Sequence, residues 1–259
     1  MGIITLTTDL GNKDFYLASI KGSILCQLPE VQIIDISHHI PSFNIAQGAY
    51  IFKNAYSYFP KKTVHVLGIN CDYEKESRFL AIAYRDQYLL GPDNGIFSLI
   101  LEAEPDKIVE IELFANENSK HFPLKDILIK AACHLSGGGL LANLGKVPPN
   151  WVKKVHLHPV LDSKFIRGTV IYIDDYQNVI TNITRNLFQN YVGDKRFRVH
   201  FKRNESINKI SSHYGEVFEG EKLCLFGISG HLEIAINKGK ASGLLGLRLD
   251  DIIQIDYLE

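Results

Sequence analysis

The chain has 259 residues, of which 46% are hydrophobic and 10% aromatic, with 28 Lys and Arg against 29 Asp and Glu. At roughly 150 residues per domain, this length predicts one large or two modest domains, each able to form a core without disulfides or structural metals. The near-zero net charge excludes the electrostatic footprint of a protein that binds nucleic acid or an anionic membrane surface. The aromatic content excludes a disordered chain.

The first half of the chain alternates short β-branched runs with longer segments of helical spacing. Strands are predicted at 3–8, 31–36, 64–69, 79–84, 88–90 and 108–113, and helices at 14–26, 45–58, 94–101 and 126–135. Strand–helix alternation is typical of an α/β layer. We therefore predict an α/β N-terminal domain with a mainly parallel sheet over residues 1–160.

The pattern changes after about Pro159, where the predicted strands are short and separated by turn residues. These strands lie at 169–173, 197–201, 222–226, 232–236 and 252–257, and only 241–245 has helical character. The change predicts a smaller, all-β C-terminal domain over residues 161–259.

The spacing of the cysteines and the length of the apolar runs indicate the cellular compartment in which we expect the protein. Cys26, Cys71, Cys133 and Cys224 are widely spaced and form no CxxC pair, which is typical of free thiols in a reducing environment. The chain begins directly with a strand-like run, and no apolar stretch approaches the ~20 residues of a membrane span. We therefore expect a soluble, cytoplasmic protein.

Three polar segments follow predicted strands, where ligands bind in open α/β sheets. Asp9 is placed to accept two hydrogen bonds from a ribose diol, or else to cap the following turn. The segment 91–95, GPDNG, has the composition of a tight turn. Asp174, Tyr176 and Asn178 supply a carboxylate, an aromatic face and an amide, which together suit a nucleobase with its sugar. A plain hairpin turn is the alternative for this third segment.

Other chemistry finds little support in the motifs. His38 and His39 lie near Asp35, but adjacent histidines on a strand point to opposite faces, so we predict no metal site. The sequence has no GxGxxG, GxxxxGK[ST], HExxH or GxSxG motif, so nicotinamide, P-loop, zincin and serine-hydrolase activities lose their main support.

Five sequence blocks, in order along nearly the whole chain, resemble the S-adenosylmethionine (SAM) hydroxide adenosyltransferase family. This family contains the adenosine-forming SAM hydrolases and their fluorinase and chlorinase relatives. The blocks are TTDLG at 7–11 with Asp14, Lys21 and Gly22, DISH at 35–38 through QGAY at 47–50, LGPDNG at 90–95, Ile173 and Asp174 with Asn178 and TNI at 181–183, and GHLEIA at 230–235 with Asn237.

The resemblance implies a β-barrel-like C-terminal domain, a homotrimer, and a site between one subunit's N-terminal domain and its neighbour's C-terminal domain. It implies an adenosyl ligand and no separate cofactor. By the same resemblance, Asp9 holds the ribose hydroxyls, and Phe43 packs near the sugar or the methionine. Asp174 lies near the methionine. Tyr176 stacks on the adenine, Asn178 forms a hydrogen bond with the edge of the adenine, and the backbone of Asn237 and Lys238 completes the adenine contacts.

The family reaction is displacement at the ribose C5′ carbon by water or hydroxide, with methionine leaving. In the hydrolases an Asp–Arg–His set positions and activates that water. Here the three motif positions hold Asn70, Ser77 and Pro123, and the halogenase serine position holds Leu124. Asn70 is also expected among the ligand contacts. A shift of one or two residues brings in Asp72, Arg78 and His121 as the candidate catalytic residues.

Three hypotheses follow from this departure. The protein hydrolyses SAM with a rearranged set, or it binds an adenosyl ligand without catalysis, or it acts on another nucleoside. Asp9, Tyr176 and Asn178 fit the first two equally. The loop from Asn70 to Arg78 discriminates, because a carboxylate–guanidinium pair facing the pocket favours an enzyme. We favour the hydrolase.

Overall fold

The computed structural model describes residues 2–74, 77–155, 157–202 and 205–257. Tertiary contacts divide the chain into an N-terminal unit, Met1–Val155, and a C-terminal unit, His156–Glu259. Each unit is built on its own sheet. Within the described part of the chain, no helix combines the length and the apolar character needed to cross a membrane.

The N-terminal unit alternates strands and helices for most of its length. Its elements are β1 Ile3–Thr8, α1 Phe15–Gln27, β2 Gln32–Ser37, α2 Ile45–Lys53, β3 Val64–Gly68, β4 Phe79–Tyr84, β5 Gln87–Pro92, α3 Ile96–Ile100, β6 Lys107–Ile111, α4 Lys130–Ser136 and β7 Gly145–Lys146. A π-helical segment, Leu124–Ile129, runs directly into α4.

The sheet of the N-terminal unit has the strand order β2-β1-β3-β5-β4-β6-β7. The neighbours β2 and β1, β1 and β3, and β3 and β5 are parallel. The pairs β5 and β4, β4 and β6, and β6 and β7 are antiparallel. The prediction of a mainly parallel sheet is therefore not confirmed. The sheet is mixed because β4 and β5 form a hairpin through Arg85 and Asp86, which both have positive φ, in place of a helical crossover.

Helices cover both faces of this sheet, because each presents an apolar stripe to it. In α1 the buried Leu17, Ile20 and Ile24 recur every three or four residues and share a core with the π-helical segment and α4. Phe52 of α2 and Phe97 of α3 belong to the core on the opposite face. The helices α1 and α2, which follow β1 and β2, thus lie on different faces.

A histidine is buried in the core beneath α2. His65 of β3 has no exposed surface, and its Nδ1 lies 2.7 Å from the hydroxyl of Thr5. The rings of Phe52, Tyr56 and Phe59 surround the imidazole edge to face. Burial lowers the pKa of His65 to about 4 from its ordinary value of 6.5, so the folded protein keeps this ring neutral.

Acid is expected to destabilise the N-terminal unit through His65. Between pH 6.5 and 4 the unfolded chain takes up a proton that the folded chain does not, so the free energy of unfolding falls by about 3 kcal/mol over this range and levels off below it. Urea unfolding at a series of pH values measures this slope. The double variant Thr5→Val/His65→Leu should lose this dependence of the free energy of unfolding on pH. The control variant His121→Leu, which removes an exposed histidine, should keep it.

The C-terminal unit consists mainly of short strands. Its elements are β8 Val160–Leu161, β9 Phe165–Ile173, β10 Val179–Thr184, α5 Arg185–Tyr191, β11 Phe197–Lys202, β12 Glu205–Ile207, β13 Ile210–Ser211, β14 Lys222–Phe226, β15 His231–Ile236, α6 Ala241–Leu245 and β16 Ile252–Tyr257. The predicted helix at 241–245 is confirmed, and α5 is an addition to the predicted all-β pattern.

The sheet of the C-terminal unit curls into a half-barrel. Its strand order is β12-β11-β16-β9-β10-β15-β14-β13, with β8 paired to β9, and every pairing except β13 with β14 is antiparallel. Although β12 begins one edge of this order, it approaches β14 near the other, where Glu205 and Lys222 form an ion pair. The apolar core lies inside the curl, with Val179, Ile234 and Ile255 among its residues.

Candidate functional site

Polar loops gather at the carboxyl edge of the parallel part of the N-terminal sheet. Asp9 follows β1, the segment 38–43 follows β2, Asn70 follows β3, and Asp93 and Asn94 follow β5. In the sheet, β1 lies between β2 and β3. The connection after β1 passes through α1 on one face, and the connection after β2 passes through α2 on the other face, so the two connections diverge beside β1. Such switch points form ligand-binding crevices in open α/β sheets.

Asp9 joins two of these loops. Its Oδ2 accepts the backbone N–H of Phe43 at 2.8 Å and that of Asn70 at 3.1 Å. Both donors are left-handed, with φ of +65° at Phe43 and +48° at Asn70, a conformation that side-chain-bearing residues adopt at a cost. Among the described residues no group donates to Oδ1, so the two lone pairs of this oxygen are open to a ligand.

An open cleft of about 260 Å³ lies beside Asn70. It brings together the two motif positions Asn70 and Ser77 and the shifted candidates Asp72 and Arg78. The described residues that line it are Asn70, Asp72, Glu74, Ser77, Arg78, Pro92, Asp93 and Asn94. This set of carboxylates, amides and one guanidinium suits a polar ligand or a held water molecule.

Arg78 is fixed at the wall of the cleft by an ion pair. Its Nη2 lies 2.6 Å from Oδ2 of Asp93, whose side chain is only 2% exposed, and its Nη1 donates to the carbonyl of Asn150 at 3.1 Å. Oδ1 of Asp93 accepts the backbone N–H of Val152 at 2.8 Å. A carboxylate–guanidinium pair therefore faces the cleft, although its acid is Asp93 and not Asp72.

Asp72 takes no part in that pair. In the described contacts its backbone carbonyl accepts the Ser77 hydroxyl at 3.3 Å, and the same hydroxyl accepts the N–H of Glu74 at 2.7 Å. These bonds hold Ser77 inside the loop, while the Asp72 side chain is exposed at the cleft. Glu74 is a second carboxylate here that sequence reasoning missed, because no motif position corresponds to it.

The third candidate catalytic residue lies apart from this cleft. His121 is exposed, and neither it nor Pro123 is among the described residues that line the cleft. The next residue after His121, Phe122, packs edge-on against Tyr16 of α1, with ring centroids 5.7 Å apart. Leu124 is buried against Gly68, where an added Cβ would meet its Cδ2 at 2.5 Å.

The histidines considered as metal ligands have separate surroundings. His38 is buried and contacts Thr8, whereas His39 is exposed and lies 2.9 Å from the side-chain amide of Asn12. Within the described ranges, no group of three or more His, Cys, Asp or Glu side chains is arranged to hold a metal ion.

In the C-terminal unit, Asp174, Tyr176 and Asn178 form the turn between β9 and β10. Asp174 Oδ1 accepts the backbone N–H of Asn178 at 2.7 Å, and Oδ2 accepts its side-chain amide at 3.0 Å. Gln177 has a positive φ of +63°, which closes the turn. Tyr176 is 80% exposed, so its aromatic face is open, whereas Asn178 is buried at 6% exposed.

The second predicted contact region of this unit, at Asn237 and Lys238, is in the loop between β15 and α6. The backbone N–H of Ser242 in α6 donates to the carbonyl of Gln177 at 2.9 Å, which joins the turn to the helix that follows the 237–240 loop. Asn237 in this loop donates its side-chain amide to Val217 at 2.8 Å. Lys238 has a φ of +53° and forms an ion pair with Glu219. The turn therefore contacts α6, which begins three residues after Lys238.

A buried acid lies near this turn and was missed from the sequence. Glu233 of β15 is 6% exposed and accepts a hydrogen bond from the hydroxyl of Tyr214. Burial raises the pKa of Glu233, and the negative charge of Asp174 raises it further. The sequence did contain a signal for Glu233. It lies between the core residues Leu232 and Ile234, and because side chains alternate along a strand, its carboxylate points to the face opposite that core.

Comparison with known proteins gives matches over nearly the whole chain. The model of the SAM hydroxide adenosyltransferase N-terminal domain matches residues 4–145, and that of the C-terminal domain matches residues 168–254. The (R)-S-adenosyl-L-methionine hydrolase of Methanocaldococcus jannaschii is 32% identical, over 99% of this chain and 97% of its own length.

Two further matches have similar coverage. The (R)-S-adenosyl-L-methionine hydrolase of Thermus thermophilus is 27% identical over 93% of this chain and 94% of its own. The crystal structure of a conserved protein from Thermotoga maritima superimposes with a TM-score of 0.88 at 31% identity, covering 98% of this chain and 99% of that one.

Proposed function

Because the chain belongs to the SAM hydroxide adenosyltransferase family, we propose that it binds SAM and hydrolyses it to adenosine and methionine. In the reaction a water oxygen forms a bond to the ribose C5′ carbon while the C5′–S bond breaks and its electron pair stays on sulfur. The water proton passes to a base. The sulfonium leaves as a neutral thioether, so no general acid is needed.

The observation that carries this proposal is the position of Asp9 beside the polar cleft. Asp9 holds the ribose through Oδ1, whose two lone pairs match the two hydroxyls of the diol. Asn70 touches Asp9 through its backbone and lines the cleft, so a ribose at Asp9 has its C5′ carbon within reach of a water held there. Phe43, 63% exposed beside Asp9, packs on the sugar or the methionine.

Asp72 is the proposed base, and Arg78 stabilises the charge that develops on the attacking water. The exposed Asp72 carboxylate at the cleft supports this role, as does the ion pair that fixes Arg78. A positioned base typically contributes 10²–10⁴-fold to such a step. His121, which is not among the described residues that line the cleft, is proposed as the third catalytic residue on the resemblance alone.

The remainder of the ligand is assigned to the C-terminal unit. Tyr176 stacks on the adenine, the side-chain oxygen of Asn178 bonds its exocyclic amine, and the backbone at Asn237 and Lys238 completes the contact. Asp174 lies near the methionine. The open ring of Tyr176 supports this assignment, as does the contact of its turn with α6, which follows the 237–238 loop. Four free thiols, at Cys26, Cys71, Cys133 and Cys224, support the cytoplasm as its location.

We further propose a homotrimer in which the N-terminal unit of one subunit and the C-terminal unit of its neighbour share each ligand. Light scattering is expected to give three times the 29.2 kDa mass of the chain. A monomeric mass in the presence of ligand would contradict a shared site, since one chain would then hold the whole ligand.

A second candidate function, an adenosyl-ligand binder without catalysis, is favoured by one observation. The cleft places an amide and a hydroxyl, Asn70 and Ser77, at two motif positions, and the third holds Pro123 away from it. None of these three groups can accept a proton from water at neutral pH. Under this alternative, Asp72 and Arg78 shape the pocket without chemistry.

Prolonged incubation of the purified protein with SAM distinguishes the two functions. Mass spectrometry should detect adenosine and methionine with the wild type and neither above background with Asp9→Ala. Retention of unchanged SAM by the wild type would instead establish the binder. If the wild type neither binds nor cleaves SAM, both candidate functions are wrong.

A further inference from the structure

A series of side chains runs from the buried Thr8, which precedes Asp9, through the buried His38 to Asp35 and Lys21, which are partly exposed. The hydroxyl of Thr8 is 2.8 Å from Nδ1 of His38, and Nε2 of His38 is 3.1 Å from Oδ1 of Asp35. Oδ2 of Asp35 is 2.5 Å from Nζ of Lys21. Thr8 has no exposed surface and His38 is 4% exposed, so the Thr8–His38 contact is shielded from water.

The charge of Asp35 next to His38 favours one tautomer of the imidazole. Asp35 offers only acceptors, and the Lys21 ammonium next to it, with His38, holds the pKa of its carboxyl below the ordinary value. The 3.1 Å contact between Nε2 and Asp35 lacks hydrogen-bond geometry, but the carboxylate beside Nε2 favours the tautomer with its proton on that nitrogen, in which Nδ1 accepts from the Thr8 hydroxyl. The Thr8 oxygen is left to accept the backbone N–H of Leu10, which is 3.4 Å away.

The same types of side chain form the hydroxyl–imidazole–carboxylate triad of serine hydrolases. A nucleophile must meet its substrate, however, and the Thr8 hydroxyl is completely buried with its proton directed to His38. The arrangement therefore orients the chain and does not attack a ligand.

Its point of action is the loop that leaves β1. Thr8 immediately precedes Asp9, and its hydroxyl is bonded on the other side to Leu10. The backbone N–H of Gly11 donates to the carbonyl of His38 at 2.9 Å. The loop that carries Asp9 is thus fastened to His38 through a side chain before Asp9 and through the backbone after it.

We infer that His38 is a positioning residue for the ribose site, acting through Thr8 to aim the carboxylate of Asp9 at the ribose diol. Asp35, itself held by Lys21, selects the imidazole tautomer that can accept from Thr8. This inference rests on the proposed role of Asp9 in ribose binding. It concerns residues that touch no ligand themselves.

The test compares calorimetric affinities for adenosine and for 2′,3′-dideoxyadenosine, which lacks the diol. The variants are Thr8→Val, Thr8→Ser, His38→Asn and His38→Gln. Asparagine carries its amide at the distance of Nδ1 and so retains a partner for Thr8, whereas glutamine reaches the position of Nε2 and retains a partner for Asp35. Thermal melting of each variant identifies any that does not fold.

Thr8→Val and His38→Gln are expected to weaken adenosine binding roughly fivefold or more and to change dideoxyadenosine binding less than twofold. Thr8→Ser and His38→Asn should stay near the wild type for both nucleosides. A general loss of structure would instead weaken both nucleosides alike, and that result overturns the inference.

The same experiment separates this inference from the proposed function. If the wild type prefers adenosine to dideoxyadenosine and Asp9→Asn removes that preference, Asp9 binds the diol. Unchanged preference in folded Thr8→Val and His38→Gln then overturns the role of His38 alone. If the wild type shows no preference, the proposed role of Asp9 fails and the role of His38 falls with it.

Discussion

Replacing Asp72 with asparagine is expected to lower kcat for SAM hydrolysis roughly 10²–10⁴-fold and to leave adenosine affinity almost unchanged. The amide has the size of the carboxylate but cannot take the proton of the attacking water. Because Asp72 is assigned to the water and not to the nucleoside, the loss should appear in kcat. Product formation measured by chromatography, together with calorimetric adenosine binding, checks both parts.

Glu74→Gln is the matched control for this prediction. Glu74 is a second carboxylate at the same cleft and its replacement changes the local charge by the same amount. If the Glu74 variant loses the activity and the Asp72 variant keeps it, the base is assigned to the wrong acid. Equal, small losses in both would mean that the two acids contribute only through their charge.

Replacing Asp9 with alanine is expected to weaken adenosine and SAM binding by roughly 10- to 100-fold, because a charged acceptor of two hydroxyl hydrogen bonds is lost. The structure adds a second cause. Without Oδ2, the amides of Phe43 and Asn70 lose the acceptor that holds both residues in the left-handed conformation. Calorimetric titration with adenosine measures the combined effect.

Asp9→Asn separates these two causes. Asparagine retains one oxygen that can accept from Phe43 and Asn70, so the loops should keep their conformation while the ribose loses a charged partner. Its affinity is expected to lie between those of the wild type and the alanine variant. Wild-type affinity in Asp9→Ala would remove the ribose assignment altogether.

Most of the secondary structure follows from periodicity in the sequence. Strands such as Ile3–Thr8 and Lys222–Phe226 are uninterrupted runs of strand-forming residues, and the predicted bounds match the observed ones. The strand Val179–Thr184 was missed because it contains Thr181 and Asn182, whose polarity hides the pattern. The Asn182 carboxamide oxygen accepts the N–H of Thr169 at 2.8 Å, where the register with β9 is irregular.

The direction of the strands could not be predicted in the same way. Alternation of strands and helices favours parallel pairing, but β4 follows its predecessor without a helix and reverses at Arg85 and Asp86. A left-handed Arg–Asp pair is a weak turn signal, since Asn-Gly and Gly-containing pairs are the strong ones. The positions of the strands could therefore be predicted from the sequence, but the antiparallel direction of half of the strand pairs in the N-terminal sheet could not.

Motif spacing found the candidate residues but not their partners. It proposed Asp72 and Arg78 as catalytic residues, whereas the acid that Arg78 meets is Asp93, 15 positions along the chain in a segment predicted as a turn. His38 was weighed only as a metal ligand, because its contact with Thr8 depends on two neighbouring strands. Such long-range pairings are a property of the sheet.

Asp93 serves two parts of the molecule with one carboxylate. One oxygen holds the guanidinium at the cleft, and the other holds the backbone of Val152 in the last stretch of the N-terminal unit. A saturation screen for loss of activity will therefore score Asp93 as though it were a reacting group. If proteolysis around Val152 also becomes faster in these Asp93 variants, the role of Asp93 is structural: it holds the backbone of Val152 in place.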